Sequence, residues 1–188
     1  PTATTTPTKT PSPTATPIGG GQGKVIFLAG DYEERHYDIN SMNLDGTGIK
    51  QLTFLEGTIL HPVWSPDGEE ILFMYREDED GFWQLYTMNP DGSEITKIST
   101  HDSMNYGYPD WSFDGKKIIF SSEGTNKYNQ PRIFSMDPDG SNETQITDGT
   151  RWRDYGDLSP DGSKILFKDV YNNRSQIFVI NSDGTDQK

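Results

Sequence analysis

The residues with most to offer chemically are Tyr106, Tyr108, Arg151, Trp152, Arg153 and Tyr155, which fall in two corresponding connecting segments. Tyrosine, tryptophan and arginine dominate interface energetics, because each joins a large contact surface to a directed polar group. The same rings stack on sugars, and they also pack inside folds. Recognition of a protein or a glycan is therefore the chemistry they offer, with Trp83 bordering a third such segment.

Catalysis has fewer footholds. Serine hydrolysis would need a nucleophile elbow such as Gly-x-Ser-x-Gly, and the chain has none. Gly19-Gly20-Gly21-Gln22-Gly23 lacks the Lys-Ser/Thr ending of a phosphate-cradling loop and runs into a strand instead of a helix. Cysteine is absent, which removes disulfides, thiol catalysis and thiolate metal sites. The three histidines, His36, His61 and His101, show no pair at ligand spacing. The weaker metal candidates are His61, Asp110 and Asp157. The two aspartates occupy equivalent positions and could hold Ca2+ in a central channel. Asp137-Pro138-Asp139-Gly140 has a calcium-loop look, but its glycine comes two positions early for an EF-hand. It reads better as a hairpin turn.

What positions these residues is a repeat. Trp64-Ser65-Pro66-Asp67-Gly68 returns as Trp111-Ser112-Phe113-Asp114-Gly115 and as Leu158-Ser159-Pro160-Asp161-Gly162, the aspartate moving by 47 residues each time. A second signature interleaves with it at Asn43–Gly46, Asn89–Gly92, Asp137–Gly140 and Asn181–Gly184. Such a period means a solenoid, a propeller or an array. In the best-preserved copy four apolar stretches lie between turn signals: Pro62–Ser65, Glu70–Met74, Gln84–Met88 and Ile95–Ser99. They are short and rich in β-branched and aromatic residues, as strands are; we label them A, B, C and D. Apolar residues two apart, as in Ile71/Phe73, Ile118/Phe120 and Ile165/Phe167, share one face of a sheet.

The two signatures become A–B and C–D hairpins on one edge of each sheet, with Asp accepting local backbone bonds and Gly taking the left-handed backbone. The B–C and D–A connections fall on the other edge, where they are longer and differ from copy to copy. That rim is expected to carry function. Four-stranded sheets apolar on both faces stack radially into a β-propeller. The count B-C-D, A-B-C-D twice and A-B-C gives about 3.5 to 4 blades, with boundaries near 24–60, 61–107, 108–154 and 155–188. The fold class is all-β, a partial propeller that leaves sheet faces for remaining blades or self-association. Closure by four blades or through a dimer stays open.

Residues 1–23 differ in kind. The first seventeen hold eight Thr and five Pro with no large apolar residue, so they cannot offset the entropy of ordering and read as a disordered, extended linker. A net charge of −13 argues against nucleic acid or an anionic membrane surface as the main partner.

The pattern Pro62-x-Trp64-Ser65-Pro66-Asp67-Gly68-x-x-Ile71-x-Phe73, then Leu85-Tyr86-x-Met88-Asn89-x-Asp91-Gly92, with Gln51-Leu52-Thr53 and Gln145-Ile146-Thr147 closing other copies, resembles the TolB-like (PD40, WD40-like) propeller repeat. The resemblance spans about residues 24–188. It departs at Leu158, Gly156 and Phe113, where the family has Trp, Pro and Pro. It implies six to eight blades in a whole protein, an extracytoplasmic, bacterial-type location, and use as a protein-binding platform. The expected function is thus a non-catalytic extracytoplasmic propeller that offers its loop face to a protein or glycan, with any membrane link made only by an anchor outside this chain. Two alternatives follow from the same resemblance: the propeller portion of a prolyl-oligopeptidase-like serine peptidase, or a metal-dependent polysaccharide lyase. Some lyases of this kind bind a metal near the axis through histidines, the role His61 would take.

Overall fold

In the computed structural model, which describes residues 23–31, 36–123, 130–147, 152–171 and 174–188, fourteen strands form four antiparallel sheets. The first comprises β1 (Lys24–Asp31), β2 (His36–Asn43) and β3 (Lys50–Gln51). In the second, β4 (Thr58–Trp64), β5 (Ile71–Arg76), β6 (Gln84–Met88) and β7 (Thr96–Lys97) lie side by side in chain order. The third repeats it as β8 (Tyr106–Trp111), β9 (Ile118–Ser122), β10 (Arg132–Met136) and β11 (Thr144–Gln145). The fourth holds β12 (Trp152–Leu158), β13 (Lys164–Tyr171) and β14 (Arg174–Asn181). Beside β14, Lys188 and Val179 exchange backbone hydrogen bonds at 2.8 and 3.0 Å, the register that begins a D strand in the other sheets.

Alternation along the B strands assigns each side chain to one neighbour. Ile71 and Phe73 pack with Ile39 and Leu52 of the first sheet, whereas Leu72 and Met74 meet Tyr106, Trp111, Ile118 and Phe120 of the third. Ile119 and Ile133 then meet Ile165, Phe167 and Ile180 of the fourth. The core is therefore three inter-sheet layers. The fourth sheet's far face has the same apolar character, with no sheet packed on it among the described residues: Ile177 is 66% exposed, where its equivalents Leu85 and Ile133 are fully buried.

The repeated signatures have a physical content beyond turn propensity. In each A–B hairpin the serine hydroxyl donates to the aspartate carboxylate (Ser65–Asp67 2.6 Å, Ser112–Asp114 2.8 Å, Ser159–Asp161 2.6 Å) and accepts the amide five residues on. These hydroxyls, followed by backbone amides, hold the carboxyls below the usual carboxylate range, Asp161 at about 2. In the C–D hairpins the glycines answer a packing demand. A Cβ on Gly92, Gly140 or Gly184 would stand 2.3, 2.1 or 2.7 Å from the carbonyl oxygen of Leu52, Ile98 or Ile146 in the preceding sheet. All three also have φ between +84° and +90°. The residue closing each D segment clasps its C strand: Thr53, Ser99 and Thr147 accept the amides of Ile39, Leu85 and Ile133 at 2.9, 3.3 and 3.1 Å.

Two strand assignments need correction. The A strands begin earlier than Pro62–Ser65 and its equivalents suggest, at Thr58, Tyr106 and Trp152. Pairing resumes beyond a bulge between Leu60 and Val63, Gly107 and Asp110, or Asp154 and Asp157. Proline or glycine at the bulge hides that continuation from a reading by alternation. The D strands shrink to two paired residues: the next D amides still donate to the C strand, but the returning C-strand amides go to the serine or threonine hydroxyl instead of the D backbone. Residues 1–22, which carry the linker assignment, lie outside the described residues, as does Arg151.

Candidate functional site

Each A-strand bulge turns on one residue whose φ is positive although it is not glycine: His61 (50°), Tyr108 (50°) and Tyr155 (57°). Such backbone costs on the order of 1–3 kcal/mol per residue and persists only where the surroundings impose it. The three positions are 47 residues apart, so successive sheets deliver them to the same place. His61 meets the Tyr108 ring edge-on at 5.0 Å, and Tyr108 lies against Tyr155 with ring centres 3.9 Å apart. The Tyr155 hydroxyl donates to that of Tyr108 at 3.1 Å. This bond, then burial, then the nearby Tyr155 and Asp154 charges push the Tyr108 phenol up to about 12. Lys168 places its ammonium 5.0 Å from the centre of the Tyr155 ring. The result is an aromatic column on the loop rim.

Backbone bonds between sheets fix the rim. The Tyr106 amide donates to the Trp83 carbonyl and the Arg153 amide to the Pro131 carbonyl, both at 2.9 Å. Beside the column lies a cleft of about 270 Å³ whose walls include Trp83, Tyr108, Pro131 and Trp152, with Ser121, Glu123 and Asp154 among its polar groups. Trp152 stands 45% exposed, its indole N–H donating to Asp154 at 2.6 Å. Tyr155 is 49% exposed.

The six expected contact residues thus divide. Tyr108, Trp152 and Tyr155 converge on the rim, and Arg151 is not described. Tyr106 and Arg153 are corrected as exposed contacts, because both side chains are buried. Tyr106 stacks on Phe120 at 5.2 Å while its hydroxyl donates to Glu143, and Arg153 pairs with Asp169 at 3.1 Å. Both sit two residues before the bulge residues Tyr108 and Tyr155, but the left-handed kink breaks simple alternation, so the sequence alone misassigns them. Ser121 went unnoticed in the sequence. Its signal is a hydroxyl at the B-strand position where the second sheet has the apolar Met74.

Asp110 and Asp157 do meet, the third sheet against the fourth. Burial first, then the charge and side-chain hydrogen bond of Asp157, raise the Asp110 carboxyl above its usual range. Among the described residues no three His, Asp or Glu side chains gather as a metal cluster, and His61 faces Tyr108 instead of this pair.

The chain matches the TolB beta propeller domain family over residues 6–188. It is 36% identical over 108 residues to an uncharacterized protein of Agrobacterium fabrum, covering 55% of this chain and 33% of that one. To the Tol-Pal system protein TolB of Alcanivorax borkumensis it is 28% identical over 104 residues, 55% of this chain and 24% of the relative. It therefore spans a third or less of the length of these relatives. Among solved structures, the putative TolB from Agrobacterium tumefaciens superposes with a TM-score of 0.71 at 25% identity, covering 88% of this chain and 60% of that one. The fold is shared as well by an oligogalacturonate lyase in complex with manganese (TM-score 0.70, 17% identity, 88% of this chain and 49% of the other). With the sheets, the hairpin signatures and the family match over residues 6–188 in agreement, the chain belongs to the TolB beta propeller domain family.

Proposed function

We propose that this chain is a non-catalytic, extracytoplasmic propeller segment whose loop rim binds a partner protein. The observation that carries the reading is the column His61–Tyr108–Tyr155, built on three strained bulges beside the exposed Trp152. Backbone strain recurring at one place on three sheets is spent on presenting side chains, since packing alone would favour unstrained strands. A rim held by stacked sheets loses little further entropy on binding. Similarity to a Tol-Pal system protein supports the extracytoplasmic setting and a protein partner. No helix among the described residues is long and apolar enough to cross a membrane.

The test is selection of ligands for the intact chain from a displayed random-peptide library, with a glycan array run in parallel. Selected peptides are expected to lose at least tenfold in affinity for the Trp152→Ala/Tyr155→Ala variant while its β circular dichroism is unchanged. Equal binding to both proteins would overturn the loop-rim assignment. Glycans bound without any selectable peptide would overturn the protein partner.

A further inference from the structure

Two buried polar atoms of residues that line the rim cleft have no hydrogen-bond partner among the described residues. One is the hydroxyl of Ser121, a residue only 3% exposed, and the other is Oδ1 of Asp154, only 4% exposed. An unsatisfied buried polar atom costs on the order of 1–3 kcal/mol and calls for an explanation at its own site. Asp154 is held in place by the Trp152 indole on its other oxygen, while the Lys168 ammonium stands 3.5 Å from Oδ1 without hydrogen-bonding it. Oδ1 of Asp154 only accepts, and the Ser121 hydroxyl can accept as well as donate, so one donor group would serve both.

The walls say which donor. Trp83 and Trp152 present indole surface to the cleft, and Trp83 already has the Arg76 guanidinium 4.6 Å from its ring centre. Indole faces attract cations, most strongly where water is excluded. At about 270 Å³ the space falls just under the roughly 300–1,000 Å³ usual for small-molecule sites, a fit for one long side chain. The net charge of −13 draws cationic partners toward the protein.

We infer that this cleft receives a cationic side chain of the partner protein, its guanidinium or ammonium donating to Asp154 and Ser121 between the Trp83 and Trp152 rings. The inference rests on the loop-rim reading and deepens it. The incoming cation competes for Asp154 with Lys168, whose ammonium also lies over the Tyr155 ring.

The experiment is calorimetric titration of the intact chain with acetyl-Ala-Arg-Ala-amide and with its neutral isostere, in which citrulline replaces arginine. The arginine peptide is expected to bind at least tenfold more tightly than the citrulline peptide. Asp154→Asn and, separately, Trp83→Leu should each erase that preference, and the turn-rim change Asp45→Asn should leave it intact. Equal affinity for the two peptides overturns the inference, as does no binding at millimolar peptide. Should Asp154→Asn fail to fold, the wild-type comparison and Trp83→Leu still decide. Library ligands that need Trp152 and Tyr155 but show no preference for arginine or lysine would sink this inference while leaving the loop-rim reading standing.

Discussion

Phe120→Ala is expected to destabilise the chain by roughly 3–5 kcal/mol, the usual range for removing a fully buried phenylalanine. Phe120 is stacked between Tyr106 at 5.2 Å and Phe134 at 5.6 Å, within the layer that joins the second and third sheets. Its loss opens a cavity that neither sheet can close, because both backbones are fixed by their ladders. The comparison is Phe113→Ala in the neighbouring hairpin, where the ring is exposed. Surface changes of that kind usually fall within about 0.5 kcal/mol. Denaturant midpoints for the two variants read the difference. Similar midpoints would mean that the second and third sheets do not share this layer.

Asp169→Asn is expected to cost about 3–5 kcal/mol, because it discharges one partner of a buried ion pair and leaves the other charged. The carboxylate accepts from Nε of Arg153 at 3.1 Å, and both side chains are almost wholly removed from solvent. A double change to apolar residues, Arg153→Met with Asp169→Leu, should recover most of that loss, since it removes both desolvated charges together. Thermal unfolding of the two variants checks this. A single variant as stable as the parent would show that the pair is open to water. Because this pair anchors the strand that carries Trp152 and Tyr155, the single variant should also loosen the loop rim.

The sequence carried the architecture because its strongest signals are local. The Ser-x-Asp-Gly hairpins, the alternation of Ile71 and Phe73, and the threonine at Thr53 or Thr147 each describe interactions within a few residues or one ladder. Strand count, strand order and the variable rim follow from them. The interior of the site was less legible. Whether Tyr106 or Tyr108 faces out depends on a left-handed kink at Tyr108, and a tyrosine with positive φ leaves no mark in hydropathy. Arg153 reads as a surface group until Asp169, 16 residues away on the paired strand, is placed beside it. Gly156 departs from the family's proline in the fourth copy. Its reason is spatial: a Cβ there would crowd Ile119 and Ile133 of the third sheet at 3.1–3.2 Å. Contacts between sheets have no sequence period of their own, and they decide which aromatic rings reach solvent.

The account depends on three kinked strands bringing their aromatic residues together at one end of the sheets. Photo-oxidative coupling of tyrosines in the purified chain, followed by peptide mass analysis, tests this most directly, since it joins rings already in contact. A 3.9 Å ring separation predicts an intramolecular dityrosine between Tyr108 and Tyr155, formed at low protein concentration and abolished by Tyr155→Phe. A product that links other tyrosines while leaving these two unmodified would contradict the column.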